Sequence, residues 1–432
     1  MTRRTLLAGG LALAASPSFG QTGDVDVVVV GAGAAGLAAA KALIAAGRRV
    51  VVLEARHRLG GRAYTETSLG APWDAGAQFI HWGERNPWLG IAKELGVTTE
   101  EDPSGQPPLV FLDGRRLTDA ERTRRRGAFG RVWASLTLAG EADRSFAEAV
   151  RDGPPELTGA AAAITRLSLG EDPQRVSLAD YQGLWAGDDY IVPDGYGRLV
   201  ERYGEGLPVR LGTPVTRLRL DGPGVVAETS AGDLRARAAI VTVSVGVLRA
   251  ERIRFAPALP AETLAALDGL SMGAYTKVAL ALDRSRVGTL EASDLFEIGP
   301  DQAMTSFEFW PFGRDLCVAT LGGDHARRLC EAGEREAVAF VTDRLAALVG
   351  ERVRGAVTGG RLAGWWSDPC AEGSYSIVRP GALKSRYDLR RPVADRVWFA
   401  GEATAGGGAM TVGGATLEGR RAADEVSRKL SV

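Results

Sequence analysis

The sequence is poor in the residues that build metal centres and disulfide frameworks. It contains only 3 cysteines and 3 histidines in 432 residues. Cys317, Cys330 and Cys370 are an odd number without CxxC spacing, which argues against a disulfide framework and against a zinc site. The histidines are scattered, so neither HExxH nor a histidine cluster can form. We therefore expect no metal.

A large net charge and a long apolar run are missing too. Lysine plus arginine number 52 against 53 aspartate plus glutamate, which gives a formal net charge of −1. Without a charge excess the chain has no overall field for nucleic acid, so we expect no nucleic-acid partner. The apolar run near the start, Leu6 to Ala15, is far shorter than the ~20 residues that span a bilayer. We therefore expect no membrane span in the mature protein.

The first 23 residues have the composition of a targeting segment. Arg3 and Arg4 precede the apolar run, and small residues at Ser18 and Gly20 lie where a peptidase would cut before Gln21. This order resembles a twin-arginine export signal, so we interpret residues 1–23 as that signal and expect a periplasmic protein. A frayed cytoplasmic N terminus is the alternative.

Glycine is abundant, with 56 residues, and three of the glycines form a motif. Gly31, Gly33 and Gly36 make GxGxxG between a β-branched run and an alanine-rich helical window. The first glycine of such a motif permits a tight turn, the second lets backbone approach a diphosphate, and the third lets helix and strand pack closely. Ala34 and Ala35 then lie at a helix N terminus, where free N–H groups face the phosphates.

Glu54 closes the next β-branched run, about 20 residues after the motif. A carboxylate at this position accepts hydrogen bonds from the ribose hydroxyls of a dinucleotide. The residues together predict a βαβ dinucleotide-binding unit. The sequence contains no second GxGxxG, so a nicotinamide nucleotide has no obvious site.

Beyond this unit the composition alternates between two kinds of segment. Segments 24–85, 190–256 and 360–432 share strand-like runs, glycine-rich turns and helical windows, and segments 86–189 and 257–359 separate them. Segment 86–189 is rich in charged helical windows and prolines, so we interpret it as a helical insertion. The alternation predicts two interleaved domains instead of two consecutive ones.

Two further motifs resemble those of the flavin-containing amine oxidase family. Glu54-Ala55-Arg56 followed by Gly60-Gly61-Arg62 looks like the extended fingerprint of that family, and Phe399-Ala400-Gly401-Glu402-Ala403-Thr404 looks like its C-terminal signature. The resemblance covers most of the chain after residue 23. It implies an α/β fold in which the three strand-rich segments form a Rossmann-like FAD-binding domain. The two segments between them would form an α+β substrate-binding domain.

The family pattern also assigns contacts to the cofactor. Monoamine oxidases attach FAD to a cysteine at the position of Ser374, so we expect noncovalent FAD here. The nearest cysteine is Cys370. The residues expected to contact FAD are Gly31, Gly33, Ala34, Ala35, Gly36, Glu54, Ala55, Arg56, Gly61, Arg62, Gly76, Ala77, Gln78, Phe79, Val215, Trp366, Gly401, Glu402, Thr411, Val412 and Ala415.

Four residues are expected to be catalytic. In the family, the lysine that matches Lys277 holds a water against flavin N5, whereas an edge-strand lysine that deters aggregation is the alternative. Tyr375 matches one wall of an aromatic cage, although a core tyrosine has the same sequence pattern. Thr411 matches the second wall, where monoamine oxidases have a tyrosine. His81 ends a segment that runs past the flavin, and a purely structural hydrogen bond is its alternative role.

The resemblance implies oxidation of a small-molecule amine by hydride transfer to flavin N5, which gives an imine that hydrolyses. Thr411 in place of tyrosine favours a secondary amine or a polyamine. Oxygen or a periplasmic electron carrier would accept the electrons. One alternative is an L-amino-acid oxidase, with Arg314 or Arg379 for the substrate carboxylate. Another is a non-catalytic FAD-binding envelope protein, which has no need of Lys277. The sequence does not predict an oligomeric state.

Overall fold

The computed structural model describes residues 25–102, 108–137, 143–299 and 303–431. The expected export signal of residues 1–23 lies outside these ranges. Within them, no helix has both the length and the apolar character that crossing a membrane requires.

Strands and helices alternate along the described chain. The strands are β1 (Val25–Val30), β2 (Val50–Leu53), β3 (Thr65–Glu66), β4 (Trp73–Asp74), β5 (Phe79–Ile80), β6 (Glu100–Glu101), β7 (Leu109–Leu112), β8 (Arg115–Arg116), β9 (Tyr190–Ile191), β10 (Val209–Arg210), β11 (Val215–Asp221), β12 (Gly224–Thr229), β13 (Gly232–Val241), β14 (Arg254–Ala256), β15 (Leu270–Met272), β16 (Thr276–Leu282), β17 (Asp294–Ile298), β18 (Met304–Phe309), β19 (Leu316–Leu321), β20 (Val357–Ala363), β21 (Ser376–Val378) and β22 (Val397–Phe399). The α-helices are α1 (Ala34–Ala45), α2 (Pro87–Glu94), α3 (Asp119–Thr137), α4 (Phe146–Ala149), α5 (Pro155–Leu169), α6 (Leu178–Gln182), α7 (Tyr196–Tyr203), α8 (Val245–Arg249), α9 (Ala261–Asp268), α10 (Arg284–Val287), α11 (Gly323–Ala332), α12 (Glu334–Val349), α13 (Ser385–Asp388) and α14 (Val412–Leu430).

The first sheet contains the predicted βαβ unit. Its strands lie in the order β10-β2-β1-β13-β12-β11-β14, and β22 also pairs with β13. Strands β10, β2, β1, β13 and β22 pair in parallel, whereas β12 pairs antiparallel with β11 and β13. Val27, Val28 and Val29 of β1 are completely buried, as expected for a β-branched parallel strand covered on both faces.

Helices α1 and α14 pack against each other on one face of this sheet. Leu37 and Leu43 from α1 share a buried core with Val426 from α14. The helices approach closely at Gly419, because a Cβ atom there would lie 2.0 Å from the backbone oxygen of Ala35. The first sheet is therefore covered by helices from opposite ends of the described chain.

The second sheet has the order β20-β16-β19-β18-β17-β7-β8. Apolar side chains from β16, β18 and β19, such as Leu280 and Phe307, form a buried core with Leu329 of α11 and Val341 of α12. The sheet and its two helices form the α+β unit expected for the substrate side. The interleaved α/β organisation predicted from the sequence is confirmed.

The expected segment borders need three corrections. Strand β20 pairs with β16 of the second sheet, so the last cofactor segment begins after Ala363 instead of at residue 360. Trp88 and Ile91 of α2 lie in the first core, so the first cofactor segment extends beyond residue 85. Segment 86–189 is also not purely helical, because β7 pairs with β17 and β8. The charged helical windows did not predict these two strands.

Candidate active site

A cavity of about 890 Å³ lies between the two units and is lined by both. Val30, Leu53 and Gly401 line it at the carboxyl ends of β1, β2 and β22 of the first sheet. Tyr275 and Lys277 line it from the second sheet. The carboxyl edge of a parallel sheet is where α/β folds place their ligands. The cavity size falls in the range of small-molecule and cofactor sites, which is roughly 300–1,000 Å³.

Two helix N termini face this cavity. Gly33 and Ala34 at the start of α1, and Thr411 and Val412 at the start of α14, all line it. Each N terminus offers unpaired N–H groups and the positive end of a helix dipole, which favours a bound anion. The arrangement fits the diphosphate of a dinucleotide. The sequence predicted the α1 end as a helix N terminus, and it predicted Thr411 and Val412 as FAD contacts without identifying them as the start of a helix.

The glycine motif at the α1 end has little spare room. Gly31 has a φ angle of +105°, which favours glycine. A Cβ atom on Gly36 would lie 1.9 Å from the backbone oxygen of Gly31. Gly36 therefore lies beneath the turn instead of lining the cavity, which agrees with its predicted task in helix–strand packing.

Glu54 lines the cavity beside the motif and is buried. Its carboxylate accepts hydrogen bonds from the backbone N–H of Ala32 (2.7 Å) and of Arg56 (2.8 Å). These bonds hold the carboxylate at the end of β2. A carboxylate has roughly four acceptor positions, so Glu54 keeps capacity for the expected ribose hydroxyls.

Arg62 and Glu402 form an ion pair in the cavity wall. Arg62 Nη1 donates to Glu402 Oε1 (2.9 Å) and to the carbonyl of Ser374 (2.8 Å). Burial alone would raise the pKa of Glu402, but Arg62 and Arg386 outweigh burial and hold that pKa below its ordinary value. The two motifs quoted for the family resemblance are thus in direct contact.

The Lys277 ammonium group is buried and fully paired. Lys277 is 5% exposed, and its Nζ donates to the carbonyls of Asp74 (2.8 Å) and Gly76 (3.1 Å) and to Gln78 Oε1 (2.9 Å). Burial lowers the pKa of Lys277, and the negative charges of Asp74 and Glu308 oppose that shift. Strand β16 lies between β20 and β19, so the alternative of an edge-strand lysine is wrong.

Aromatic side chains surround the Lys277 end of the cavity. The rings of Tyr275 and Tyr375 have centroids 5.9 Å apart, and the hydroxyl of Tyr375 donates to the carbonyl of Ser168 (2.9 Å). Burial raises the pKa of both hydroxyls, that of Tyr275 to about 12. Tyr375 therefore lines the cavity as predicted, next to a second tyrosine that the sequence analysis missed.

Thr411 lines the cavity but also caps a helix. Its Oγ1 accepts a hydrogen bond from the N–H of Gly414 (2.9 Å) and donates to the carbonyl of Gly408 (2.7 Å). The hydroxyl is therefore committed to the start of α14, and the cavity wall receives mainly its methyl group. Trp185 and Met410 supply the large apolar surface at this side.

A different part of the cavity wall is acidic. Asp102 and Asp189 both line the cavity, and burial together with the Asp189 charge raises the pKa of Asp102. His81 Nδ1 lies 3.0 Å from Asp189 Oδ1. In the described part of the chain, Asp102 has no ion-pair partner. The sequence pattern predicted His81 at the site but neither aspartate.

Most residues expected at the site lie where the sequence placed them. Trp366 does not, because its Nε1 donates to Glu331 (3.2 Å) and its ring lies under the Arg327 guanidinium outside the cavity. Its neighbour Trp365 lines the cavity instead, with its Nε1 bound to the carbonyl of Ala75 (2.9 Å). The predicted residues that line the cavity are Gly31, Gly33, Ala34, Ala35, Glu54, Ala55, Arg56, Gly61, Arg62, Gly76, Ala77, Gln78, Phe79, His81, Val215, Lys277, Tyr375, Gly401, Glu402, Thr411, Val412 and Ala415.

Ser374 and Cys370 lie in different surroundings. The Ser374 hydroxyl donates to the carbonyl of Gly273 (2.9 Å) and accepts from the N–H of Tyr275 (2.9 Å). Cys370 lines the cavity near Glu54 and Arg56, at the ribose end of the βαβ unit. Burial raises the pKa of its thiol. A dinucleotide whose ribose is bound by Glu54 would therefore lie near this thiol.

Comparisons with known proteins agree with this geometry. A family model described as flavin containing amine oxidoreductase matches residues 34–173 and 111–427. Lysine-specific histone demethylase 1 homolog 2 of Arabidopsis thaliana is 29% identical over 452 residues, which are 95% of this chain and 59% of that protein. Polyamine oxidase 4 of Oryza sativa subsp. japonica is 27% identical over 440 residues, which are 94% of this chain and 89% of that protein.

A solved structure of putrescine oxidase bound to putrescine shares the fold. Its TM-score is 0.78 at 22% sequence identity, over 93% of this chain and 99% of that chain. The chain spans little more than half the length of the demethylase relative. The family model covers most of the chain, and the cavity presents two helix N termini, the buried carboxylate of Glu54 and the buried ammonium group of Lys277. The chain therefore belongs to the flavin-containing amine oxidoreductase family, whose cofactor is FAD.

Proposed function

We propose that this protein is an FAD-dependent oxidase of secondary amines or polyamines, and that its substrate carries a second positive charge away from the reacting nitrogen. FAD held in this cavity would supply the hydride acceptor for the carbon next to the amine nitrogen, and the imine product would be hydrolysed by water. The protein holds the amine, excludes water and controls protons around the reacting nitrogen.

The observation that carries the proposal is the acidic wall formed by Asp102 and Asp189. Two carboxylates line one cavity, and the His81 ring faces one of them, with its Nδ1 3.0 Å from Asp189 Oδ1. Two neighbouring carboxylates with one weak base leave a net negative site, which favours a cationic ligand. A polyamine supplies such a cation while its reacting nitrogen lies elsewhere in the cavity.

The aromatic end supports an amine that reacts in its neutral form. An alkyl ammonium with an ordinary pKa of about 10 has no lone pair to assist hydride loss. Removal from water beside the Tyr275 and Tyr375 rings disfavours the charged form and lowers the pKa of the reacting nitrogen. The aromatic end therefore suits the neutral, reacting nitrogen of a polyamine, and the acidic wall suits a second nitrogen that stays protonated.

The alternative of an L-amino-acid oxidase has less support. Neither Arg314 nor Arg379 lines the cavity, and Arg314 donates to the carbonyl of Pro193. The arginines that do line the cavity are paired with protein carboxylates, as in Arg56 with Asp368 (2.8 Å) and Arg252 with Glu372 (2.6 Å). A substrate carboxylate would meet Asp102 instead of a free guanidinium. A non-catalytic FAD protein would have no use for this acidic wall.

Anaerobic bleaching of the bound flavin tests the proposal. The FAD-loaded protein is mixed with polyamines, diamines, monoamines of equal chain length and amino acids, and the oxidised flavin absorption is followed. We expect bleaching by polyamines at concentrations well below those needed for the matched monoamines. Bleaching by amino acids alone would favour the alternative, and bound flavin that no amine bleaches would refute amine oxidation.

Variants of the acidic wall sharpen the test. Asp102→Asn and Asp189→Asn should each raise the KM for a polyamine about fivefold, because a partly exposed ion pair contributes up to about 1 kcal/mol. The KM for the matched monoamine should stay unchanged. Asp113→Asn removes an exposed carboxylate outside the cavity and serves as the control. Equal effects on both substrates would refute a role in binding the second cation.

We also propose noncovalent FAD and an exported protein. Ser374 in place of a cysteine supports noncovalent attachment, and acid precipitation should release all flavin into the supernatant. Readmitting air after bleaching tests oxygen as acceptor against an electron carrier.

Arg3 and Arg4 before a short apolar run support twin-arginine export. Replacing both with lysine should retain the protein in the cytoplasm, and unchanged secretion would refute this route.

A further inference from the structure

A second, much smaller cavity lies behind the Lys277 end of the FAD site. Its volume is about 20 Å³, and Asp74, Gln78 and Glu308 supply polar atoms to its lining. A space of this size holds about one water molecule, and such a water needs two to four polar partners. Gln78 lines both cavities, so its side chain forms part of the wall between them.

The sheet register places Glu308 on the Lys277 face. Lys277 of β16 pairs with Thr320 of β19, which pairs with Ser306 of β18. Glu308 lies two residues beyond Ser306 on β18, so its side chain projects from the same face as Lys277. Lys277 and Glu308 lie on β16 and β18, on either side of β19, and both side chains are long enough to contact a third side chain that lies over β19.

Gln78 is that partner. Lys277 Nζ donates to Gln78 Oε1 (2.9 Å), and the Gln78 side-chain amide faces the Glu308 carboxylate closely enough to lower its pKa. The Asp74 carboxylate is used differently, because it accepts from Thr65 Oγ1 (2.6 Å) and from the N–H of Tyr196 (3.0 Å). Asp74 therefore fixes local backbone, whereas Glu308 acts toward Gln78.

The surrounding charges couple Glu308 to Lys277. Burial raises the pKa of Glu308, and Asp294 and Asp102 add to that rise, whereas Lys277 opposes it. On the other side, burial lowers the pKa of Lys277, and Asp74 and Glu308 oppose that shift. Each of the two buried groups thus stabilises the charged form of the other.

Two more groups border this part of the molecule. Arg314 lines the small cavity. The Cys317 thiol on β19 lies in the core of the second sheet, where burial and the charges of Glu308 and Asp294 raise its pKa. Arg314 is directed to the carbonyl of Pro193 and to the ring of Phe312. Neither group competes with Lys277 as the cation that faces Glu308.

We propose that Glu308 is a positioning residue for Lys277, which acts through Gln78 to orient the ammonium group and keep it charged at the flavin side of the main cavity. The inference rests on the proposed function, because it assigns Lys277 to the reacting end. It adds a residue outside the FAD site, on a strand that does not line the cavity.

The test uses the FAD-loaded protein without amine, whose flavin absorption is recorded as a function of pH. A charge on Lys277 beside the flavin should shift the absorption, so the spectrum titrates with Lys277. Lys277→Met should abolish this titration. Glu308→Gln keeps a hydrogen-bonding group for Gln78 but removes the charge, and it should lower the titration midpoint by about one pH unit. The kcat/KM profile should move in the same direction.

Further variants separate positioning from a general loss of structure. Glu308→Asp keeps the charge and should restore most of the wild-type midpoint. Asp294→Asn removes the charge opposite Glu308 in the sheet without facing Lys277, and it should not lower the midpoint. Gln78→Met removes both the link to Glu308 and a direct acceptor of the Lys277 ammonium group, so it should lower the midpoint at least as far as Glu308→Gln.

The outcomes distinguish the two proposals. A titration that persists in Lys277→Met, or is absent from the wild type, overturns both the assignment of Lys277 and this inference. A titration that Lys277→Met abolishes but Glu308→Gln leaves at the wild-type midpoint overturns the inference alone.

Discussion

Replacing Arg386 with methionine will remove the cation at the centre of a buried chain of charges. The Arg386 side chain is 1% exposed, and its Nε and Nη2 each donate to the Asp180 carboxylate (2.9 Å). Its Nη1 donates to Ser376 Oγ (2.6 Å), and that hydroxyl donates to Glu402 Oε2 (2.6 Å). Removing one partner of a buried pair typically costs about 3–5 kcal/mol. We expect a loss of that size in the free energy of unfolding.

Urea denaturation of the FAD-loaded protein measures this loss, and flavin release measures its effect on the site. Since a folded domain has about 5–15 kcal/mol in total, the variant should fold but lose flavin more readily. Arg391→Met removes an exposed arginine paired with Asp388 and should cost less than about 1 kcal/mol. If Arg386→Met costs no more than this control, the buried chain does not contribute as argued.

Four further outcomes follow from the site. Gly36→Ala should yield protein without flavin absorbance, because the new Cβ atom would lie 1.9 Å from a backbone oxygen of the motif. Trp365→Ala should weaken FAD binding to the apoprotein about tenfold in calorimetric titration, whereas Trp366→Ala should leave it unchanged. Tyr375→Phe loses one hydrogen bond, about 1 kcal/mol, so the amine KM should rise by less than about tenfold at unchanged FAD affinity. The pKa of Glu402 is depressed in the folded protein, so its ionised carboxylate stabilises the fold above pH 4.5 and this stabilisation is lost as the pH falls. The melting temperature should therefore fall less steeply below that pH in Glu402→Gln than in the wild type.

The parts of the site that the sequence predicted are mostly local. Gly31 and Gly36 belong to one turn, and Glu54 follows on the adjacent strand, so their spacing alone defines their geometry. Asp102 and Asp189 could not be predicted together. They lie on separate parts of the chain and meet because the N–H of Asp102 donates to the carbonyl of Asp189 (2.8 Å). Such a contact depends on the packing of the insertion, which spacing does not encode.

The error at Trp366 has a simple physical origin. Two consecutive tryptophans follow β20, and the strand ends at Ala363. The direction of the chain after that residue decides which indole faces the cavity, and a shift of one residue exchanges the two. Thr411 illustrates a related difficulty, because a residue that marks a cavity wall by family position is also the N-cap of a helix. The family position of Thr411 predicted that it lines the cavity, but it did not predict the hydrogen bonds of its hydroxyl.

The pairing of α1 with α14 has a consequence for biosynthesis. The diphosphate would lie between Gly33 and Val412, so the second half of its binding site is synthesised long after the first. At a synthesis rate of about 5–20 residues per second, the early βαβ unit waits roughly 20–80 s for its counterpart. During that time the nascent chain lacks the α14 half of the diphosphate site. Tight binding of FAD therefore requires a chain whose synthesis has passed the start of α14.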